Sequence, residues 1–454
     1  MPGADPTDFV KYSGWLPLSA DIHATFIDAQ CKTALKAVLS NVPPHHQPVV
    51  AEFEKAIKDD VEMVDLFQKI FHQVHEKNKI PSFEALLHML DAILISAPPF
   101  HIALDDNGTE IGEPIGVPIY LLFDLLSNTS AGYDLFRLPK FNLAIKTLLD
   151  AWGSYLSDPK RDSNAVLHSG TEGWFSQIAV SSLEKKISPL SFEATYILPD
   201  PQADNRGFQT WDAFFTRKVK KEARPVTFPD EESALHSACE STVYRVERGV
   251  KACDQFWIKG QNYSLYDILN KDDEMVAKLA GGTVYQAFLD TLDYHRWHAP
   301  IDGTIEKVVM IDGSYYAALP DGGAPASDEL PLNSPYGALV RSQSFLTITA
   351  SRALIYIRAK NANIGVMCFV AIGMGEVSTC DVTVAVGDRL KAGDELGMFH
   401  FGGSSHALIF GPQCEVKFFD DPKLKKHVWV NSVIGRITPK CSRAGVGSYY
   451  SSRM

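Results

Sequence analysis

The segment Phe399-His400-Phe401-Gly402-Gly403-Ser404-Ser405-His406-Ala407-Leu408 lies about fifty residues from the C-terminus, between two segments with the composition of β-strands. Glycine permits tight bends, and Ser404 places a hydroxyl next to the carbonyl of Gly403. On its own, a Gly-Gly-Ser-Ser run is typical of a turn or a flexible loop. Its meaning therefore depends on the rest of the chain.

The composition is that of a soluble globular protein. The 454 residues are too many for one ordinary core, so we expect two or three domains. The net charge of −12, without a Lys/Arg block, argues against a nucleic-acid partner. Seven scattered cysteines form no CxxC pair, which favours reduced thiols over disulfides or a zinc site. No apolar signal or membrane-length segment is present, so we expect a cytoplasmic protein without stable membrane insertion.

Residues 1–180 have the periodicity of α-helices. Apolar residues from Phe53 to Val74 recur every three or four positions, which predicts one helical face. Ser82 is the predicted N-cap of a helix over 83–94. A further helix is predicted to end before Asp158-Pro159, and residues 157–171 are predicted to be a linker. Because this part shows no cluster of reactive side chains, we expect it to serve packing or to cover the substrate.

From about residue 230 onward the pattern changes to short strands separated by glycines. Strands are predicted over 304–310, 353–358, 366–372 and 382–386, with a hairpin turn at 361–365. Turns at Gly387-Asp388 and Gly393-Asp394 resemble those of lipoyl and biotinyl carrier domains, but the exposed lysine of a carrier is missing. The predicted fold class is α+β. A helical N-terminal domain, residues 1–180, precedes a β-rich domain, residues 190–454, with lipoyl-like barrel-sandwich elements.

His295 and His298, three residues apart, are the clearest candidates for proton transfer, since an imidazole titrates near neutral pH. They could equally be core histidines held by backbone carbonyls. No HExxH motif or third ligand lies nearby, so no residue is assigned to a metal. The Gly373-Met374-Gly375 segment does not predict a dinucleotide site, because β-branched residues follow it where a helix is needed.

Five sequence motifs, which follow one another within residues 205–435, give a more specific indication of function. They are Phe214-Phe215-Thr216-Arg217 with Ala223-Arg224-Pro225, Lys259-Gly260-Gln261-Asn262-Tyr263-Ser264-Leu265, Asp293-Tyr294-His295-Arg296-Trp297-His298-Ala299-Pro300, Gly303-Thr304-Ile305, and Gly403-Ser404-Ser405. Together they resemble the phosphatidylserine decarboxylase superfamily of pyruvoyl-dependent decarboxylases. Gly14-Trp15-Leu16, Thr129-Ser130-Ala131-Gly132 and the segment around Trp152 are similar to the fungal branch of that family that contains tryptophan decarboxylases.

The resemblance implies that the chain cuts itself between Gly403 and Ser404. Ser404 Oγ would attack the Gly403 carbonyl, and the resulting ester would break by β-elimination. Hydrolysis of the dehydroalanine would leave a pyruvoyl group at position 404 and two chains that stay associated. The pyruvoyl group would form a Schiff base with the substrate amine and accept the electrons released with CO2, so no pyridoxal phosphate is expected.

The resemblance also implies roles for three further side chains. His298 is expected to be the base for Ser404, with an acid behind it that orients the imidazole. The family has an Ala-Asp-Gly motif at that acid position, whereas this chain has Ala238-Cys239-Glu240-Ser241, so we expect Glu240 to be the acid. His295 is expected to act later, at the carboxylate or the α-carbon of the substrate.

The preferred substrate is a free aromatic L-amino acid, L-tryptophan first. Trp297 stands where the family often has a smaller aliphatic residue, and Phe401 flanks the cleavage segment, so both are candidate substrate contacts. Phosphatidylserine is the alternative substrate, but the sequence shows no membrane anchor or amphipathic entry segment. A Ser-His-Glu hydrolase is an alternative from another class, although His406 replaces the last glycine of a G-x-S-x-G elbow. A catalytically inactive, carrier-like binding module is the third.

Overall fold

A computed structural model describes residues 20–39, 46–104, 110–253, 264–323, 335–376, 379–401, 404–419 and 426–440. The helices in chain order are α1 Ala20–Leu39, α2 Pro48–Lys58, α3 Val61–Gln73, α4 Phe83–Ile93, α5 Pro118–Ser127, α6 Ser130–Leu135, α7 Pro139–Ser157, α8 Gln177–Ile187, α9 Phe192–Thr195, α10 Trp211–Phe215, α11 Leu265–Ile268, α12 Asp273–Leu279, α13 Ala338–Arg341 and α14 Gln343–Thr349. The strands are β1 Phe100–Leu104, β2 Glu110–Pro114, β3 Ala234–His236, β4 Ser241–Arg248, β5 Thr283–Leu289, β6 Arg296–His298, β7 Gly303–Ile311, β8 Arg352–Ala359, β9 Val366–Gly373, β10 Thr379–Val382, β11 Arg389–Leu390, β12 Glu395–His400, β13 Ser404–Phe410, β14 Cys414–Phe418, β15 His427–Val428 and β16 Val433–Pro439.

Side-chain caps start several of the N-terminal helices, α3 and α4 among them. Ser82 caps α4 as predicted, since its hydroxyl accepts a hydrogen bond from the N–H of Ala85 at 3.2 Å. The single face predicted from Phe53 to Val74 is divided between α2 and α3. Asp60 caps α3, accepting from the N–H of Met63 at 3.0 Å, and thereby starts a new helix. The predicted end before Asp158-Pro159 is confirmed by α7.

Two features of the first 180 residues differ from the prediction. Strands β1 and β2 form a hairpin inside the part predicted to be helical. The stretch predicted to be a linker contains a 3-10 helix, Ser163–Val166, and packs against the body of the protein. The hydroxyl of Ser163 is buried and accepts from the N–H of Trp211 at 3.2 Å. Polar composition indicated a solvent-exposed stretch, but a tertiary hydrogen bond satisfies this polar group inside the protein.

The β-rich part is built on an antiparallel sheet of eight strands in the order β11-β7-β8-β9-β13-β5-β4-β15. The predicted strands 304–310, 353–358 and 366–372 lie within β7, β8 and β9. The prediction for 382–386 is wrong, because β10 ends at Val382. Gly387 has a φ of 96° and the Asp388 carboxylate accepts from the N–H of Ala385 at 2.8 Å, so these residues form a turn.

Strand β13 lies between β9 and β5, and all seven of its residues are buried. Side chains alternate between the two faces of a strand. Ala407 and Ile409 belong to the core formed with the N-terminal helices. Leu408 and Phe410 belong to a second core, which includes residues of the small sheets β10-β12-β6 and β14-β16-β3. This mixed architecture confirms the α+β class, and Ser404 stands at the first position of its central strand.

Among the described residues, no helix has both the length and the apolar character required to cross a membrane.

Candidate active site

Ser404 is fully buried at the start of β13, opposite Leu289 of β5 and Gly373 of β9. Within the described part of the chain, its Oγ has no hydrogen-bond partner. A buried hydroxyl without a partner costs about 1–3 kcal/mol, so this position needs a reason other than stability. The other predicted cleavage residue, Gly403, lies outside the described residues.

Phe401 ties the segment before Ser404 to the helical part of the protein. It has a φ of 60°, is 6% exposed, and its ring centroid lies 6.2 Å from that of Trp152 in α7. A Cβ on Gly153 would come within 2.6 Å of the Phe401 ring, so the glycine makes this close approach possible. The structure thus gives Phe401 a packing contact with α7, whereas the sequence predicted a substrate contact.

The imidazole of His298 is held on both nitrogens. Its Nδ1 lies 2.7 Å from the carbonyl oxygen of Gly393, and its Nε2 lies 3.0 Å from the hydroxyl of Tyr294. A carbonyl can only accept, so Nδ1 carries the proton. Burial lowers the pKa of His298, which makes the ring neutral near pH 7 and leaves a lone pair on Nε2. The Tyr294 hydroxyl donates to that lone pair, and this nitrogen is therefore the basic one.

Gly393 holds the imidazole of His298, a contact that sequence reasoning missed, although its glycine-aspartate turn was noted as an architectural feature. Its φ is 88°, a conformation that favours glycine, and Asp394 closes the turn by accepting from the N–H of Lys391 at 2.7 Å. The turn is fixed to the strand of His298, because the N–H of Gly393 donates to the carbonyl of Ala299 at 2.8 Å. The carbonyl of Gly393 is thus aimed at the imidazole.

Gly393→Ala is expected to slow any reaction that depends on the His298 base. A Cβ there would lie 2.4 Å from Cγ2 of Val226, and the positive φ adds a backbone cost of about 1–2 kcal/mol. The carbonyl must then shift away from Nδ1. The measurement is the half-time of chain cleavage on a denaturing gel.

Gly387→Ala is the matched control for this change. Gly387 also has a positive φ, of 96°, but a Cβ there meets nothing within 4 Å. Equal effects of the two substitutions on cleavage would contradict a specific role for the Gly393 carbonyl.

Glu240 is buried, but it is held by Arg224. The Nε of Arg224 lies 3.0 Å and 3.2 Å from the two carboxylate oxygens, and both side chains are 1% exposed. The N–H of His298, which was expected to donate to Glu240, donates to the Gly393 carbonyl, and the buried guanidinium of Arg224 donates to both oxygens of Glu240. Glu240 still acts on His298 through its charge, as one of the weaker influences that raise the pKa of the imidazole against the effect of burial.

His295 is fully buried beside the start of β6, on the face of an aromatic ring. Its ring lies nearly parallel to that of Phe215 in α10, with centroids 4.0 Å apart. Its carbonyl accepts from the N–H of Phe399 at 2.9 Å, which joins it to β12. The two family-like motifs that contain Phe215 and His295 therefore meet in space.

Trp297 is a core residue in this structure. Its ring is fully buried, with centroids 5.5 Å from that of Phe369 and 4.7 Å from that of Phe399. Trp297 points into the second core, opposite to His298, because neighbouring side chains on a strand alternate. The expectation that it contacts substrate is not supported by this position. The core packs it tightly, since a Cβ on Gly397 would come within 2.7 Å of its ring.

Glu376 is a second residue that sequence reasoning missed. It follows β9 by three residues and is fully buried, and its carboxylate accepts from the N–H of Tyr120 at 2.7 Å. Residue 120 is in the first turn of α5, whose N-cap residue, Val117, makes no side-chain hydrogen bond. A carboxylate at a helix N-terminus interacts favourably with its free N–H groups. Glu376 thus joins the helical part to the strand that flanks Ser404.

Burial raises the pKa of Glu376 to about 8, against the smaller opposing effect of the Tyr120 N–H. The native state therefore holds a proton that the unfolded chain releases above its ordinary pKa of 4.5. The contribution of Glu376 to the free energy of unfolding is fully present below pH 4.5 and is lost as the pH rises to about 8. The free energy of unfolding falls over this range by at most about 1.4 kcal/mol per pH unit.

Glu376→Gln should remove this part of the pH dependence. We expect the wild type to lose stability relative to the variant between pH 5 and pH 8.5, measured by urea unfolding in a Ser404→Ala background that keeps one chain. Glu222→Gln, at an exposed carboxylate, is the control. If the free energy of unfolding depended on pH in the same way in Glu376→Gln and in its Ser404→Ala parent, the native state would not hold this proton.

Comparison with known proteins places this chain in a family. Residues 211–436 match the profile of the phosphatidylserine decarboxylase family, and residues 47–183 match a second profile with that description. Decarboxylase iboD of Amanita muscaria is 52% identical over 350 residues, which cover 77% of this chain and 99% of the relative.

Two further relatives extend the comparison. The L-tryptophan decarboxylase of Psilocybe cubensis is 33% identical over 90% of both chains. Phosphatidylserine decarboxylase proenzyme 3 of Schizosaccharomyces pombe is 31% identical over 48% of this chain and 20% of its own length. The chain described here, with its buried Ser404, His295 and His298, belongs to the phosphatidylserine decarboxylase family and is a carboxy-lyase.

Proposed function

We propose that this protein is a pyruvoyl-dependent decarboxylase of a free aromatic L-amino acid, L-tryptophan first, and that it makes its own cofactor from Ser404. The observation that carries the proposal is the Ser404 hydroxyl, fully buried without a hydrogen-bond partner in the described chain at the start of the central strand. A group that is consumed during maturation has no need of a stabilising partner in the precursor. A pyruvoyl ketone supplies an electron sink for decarboxylation.

Self-cleavage begins with attack of Ser404 Oγ on the carbonyl carbon of Gly403, while the Oγ proton passes to a base. The C–N bond breaks, and the amine of residue 404 takes up a proton. Elimination then removes the α-proton of residue 404 and releases Gly403 as a carboxylate. Water completes the sequence by releasing ammonia and leaving a carbonyl at residue 404. The backbone bend that this attack requires is supported by the positive φ of Phe401 beside the two glycines.

His298 is the proposed base of the first step. Its neutral ring, with the proton fixed on Nδ1, leaves Nε2 able to accept a proton. Tyr294 occupies that nitrogen in the resting arrangement, so it must turn away or pass the proton on. His295, supported by Phe215, is proposed to act on the substrate after maturation.

Glu240 is proposed to act by its charge rather than by contact. Glu240→Gln should lower the pKa of His298 further and move the pH dependence of cleavage to lower pH, with a slower plateau rate. It also leaves Arg224 without its counter-charge, a loss of about 3–5 kcal/mol. The pH midpoint is the decisive readout, because loss of stability alone would not move it. An unmoved midpoint would contradict the electrostatic role.

The two chains produced by cleavage are proposed to stay associated. Strand β13 would begin the small chain, yet it is paired along its whole length with β5 and β9 of the large one. Strands β15 and β16 also pair with β4 and β3 of the large chain. An ion pair between His427 and Asp293, with 2.9 Å between Nε2 and Oδ1, adds to these contacts.

The substrate proposal is supported by the share of this chain that each relative matches. The Psilocybe cubensis L-tryptophan decarboxylase matches over 90% of both chains, whereas the Schizosaccharomyces pombe phosphatidylserine decarboxylase proenzyme matches only 48% of this one. The name of the more similar iboD decarboxylase gives no substrate, so polar amino acids belong in the same assay.

CO2 release from L-tryptophan, L-phenylalanine, L-glutamate and phosphatidylserine vesicles tests the proposal. We expect release from an aromatic amino acid and none from the vesicles. Release from L-glutamate alone would overturn the aromatic preference, and release from vesicles alone would establish the lipid substrate. The hydrolase alternative requires a triad that the described residues do not form, because Glu240 binds Arg224 and no hydrogen bond reaches Ser404.

A further inference from the structure

Two histidines and an aspartate that have no role in the proposed chemistry come together in the helical part. His88 and Asp91 are three residues apart in α4 and therefore share one helical face. His46, just before α2, brings its Nδ1 to 2.6 Å from Oδ2 of Asp91. The Nδ1 of His88 lies 3.7 Å from the same oxygen. One nitrogen or oxygen from each residue lies within 4.8 Å of the others.

The three side chains are largely withdrawn from water. They are 4%, 9% and 18% exposed for His46, His88 and Asp91. The two imidazole rings lie against each other, with centroids 4.7 Å apart. An imidazole nitrogen that carries no proton offers a lone pair, which a cation can use.

The aspartate is also held in the orientation that a ligand requires. Its other oxygen, Oδ1, accepts from the backbone N–H of Gln47 at 2.7 Å. Such outer hydrogen bonds fix ligating carboxylates in metal sites. The same contact anchors the residue next to His46, so the loop before α2 and the face of α4 are fixed relative to each other.

We propose that His46, His88 and Asp91 bind one divalent transition-metal ion, of the Zn²⁺ class. Imidazole and carboxylate ligands suit that class, whereas Mg²⁺ and Ca²⁺ prefer sites made of oxygen alone. Ligand atoms around a tetrahedral ion with bonds of about 2.0–2.1 Å lie about 3.3 Å apart. The two observed Nδ1–Oδ2 distances, 2.6 Å from His46 and 3.7 Å from His88, lie on both sides of that value. Small side-chain rotations are therefore enough to place the three ligand atoms around one ion. Three protein ligands leave a fourth position for water.

The expected effect of the ion is to fasten the start of α2 to α4. The three residues have no part in the proposed chemistry at Ser404, so self-cleavage and decarboxylation should continue without the metal. Metal binding can therefore be tested independently of the proposed function.

The test uses full-length protein without an affinity tag, freed of metal by a chelator and titrated with Co²⁺. We expect one equivalent to bind with the visible absorption of a site with imidazole ligands. Zn²⁺ should displace Co²⁺ and raise the melting temperature. His88→Ala and Asp91→Asn should each weaken binding by more than roughly 100-fold, since loss of even an outer partner costs about 10–100-fold.

His72→Ala, at an exposed histidine of α3 in the same part of the protein, is the control and should bind Co²⁺ like the wild type. Binding that survives in both His88→Ala and Asp91→Asn, or the absence of stoichiometric binding in the wild type, would overturn the proposal and leave a plain histidine–aspartate hydrogen bond. His88→Ala keeps that hydrogen bond between His46 and Asp91, so its fold should be preserved.

Discussion

Ser404→Ala should yield one uncleaved chain of 50.1 kDa that releases no CO2 from any amino acid. Alanine removes both the nucleophile of self-cleavage and the precursor of the carbonyl group, so no maturation step remains. The fold should survive, because the hydroxyl that is lost makes no hydrogen bond in the described structure. Intact mass and a denaturing gel, compared with CO2 release, measure the effect.

Ser405→Ala is the matched control. Ser405 is the next residue of the same strand, and its side chain lies on the opposite face, where it accepts from Nε2 of Gln286 at 3.3 Å. This variant should still yield two chains, residues 1–403 and 404–454. A Ser404→Ala protein that is cleaved at the same position, or that remains active, would refute the pyruvoyl proposal.

His298→Ala and His295→Ala should fail at different stages. His298→Ala removes the proposed base and should slow cleavage by about 10²–10⁴-fold, so the purified protein should remain full length. His295→Ala leaves Tyr294, His298 and Gly393 in place, so it should cleave normally. Its decarboxylation should nevertheless fall by a similar factor of about 10²–10⁴. Gel analysis of cleavage and CO2 release from the purified protein separate the two stages.

Two checks distinguish these roles from general damage. Circular dichroism of both variants should match that of Ser404→Ala, and added imidazole should restore slow cleavage to His298→Ala. Normal cleavage in both variants, or arrest of cleavage in both, would refute the division of roles.

The pH dependence of cleavage follows from the same geometry. Burial lowers the pKa of His298 below its usual 6.5, so the ring is already neutral at pH 7. This group therefore predicts a cleavage rate that is level at neutral and higher pH and falls in acidic solution. Gly393 contributes by fixing the proton on Nδ1, which the sequence motif around the histidines did not reveal.

Local sequence predicted the elements whose causes are local. The N-cap at Ser82 depends on one side chain and a backbone group three residues away, so α4 was located correctly. Strands β7, β8 and β9 were found because their short apolar-rich segments and the glycines that separate them are contained in a few residues. The break between α2 and α3 was missed, because the apolar spacing from Phe53 to Val74 continues across Asp60, which caps α3.

The ordered sequence motifs also determined the family and selected Ser404, His298 and His295, because each lies in a contiguous motif. Only the tertiary structure decided their partners. Glu240 binds Arg224, and the Gly393 carbonyl lies beside His298, where Glu240 was expected. Both contacts join residues that are distant in the chain, so a local motif could not predict them.

The sequence determined which reactive side chains the protein has for chemistry at Ser404. Tertiary structure decided which of those groups meet, how burial changes their pKa values, and which aromatic rings became core. Trp297 faces Phe369 and Phe399, and Phe401 faces Trp152, because sheet alternation and packing set those directions. Glu376 shows the same limit, since its raised pKa comes from burial against the distant helix α5. Such long-range contacts leave no signal in a local stretch of sequence.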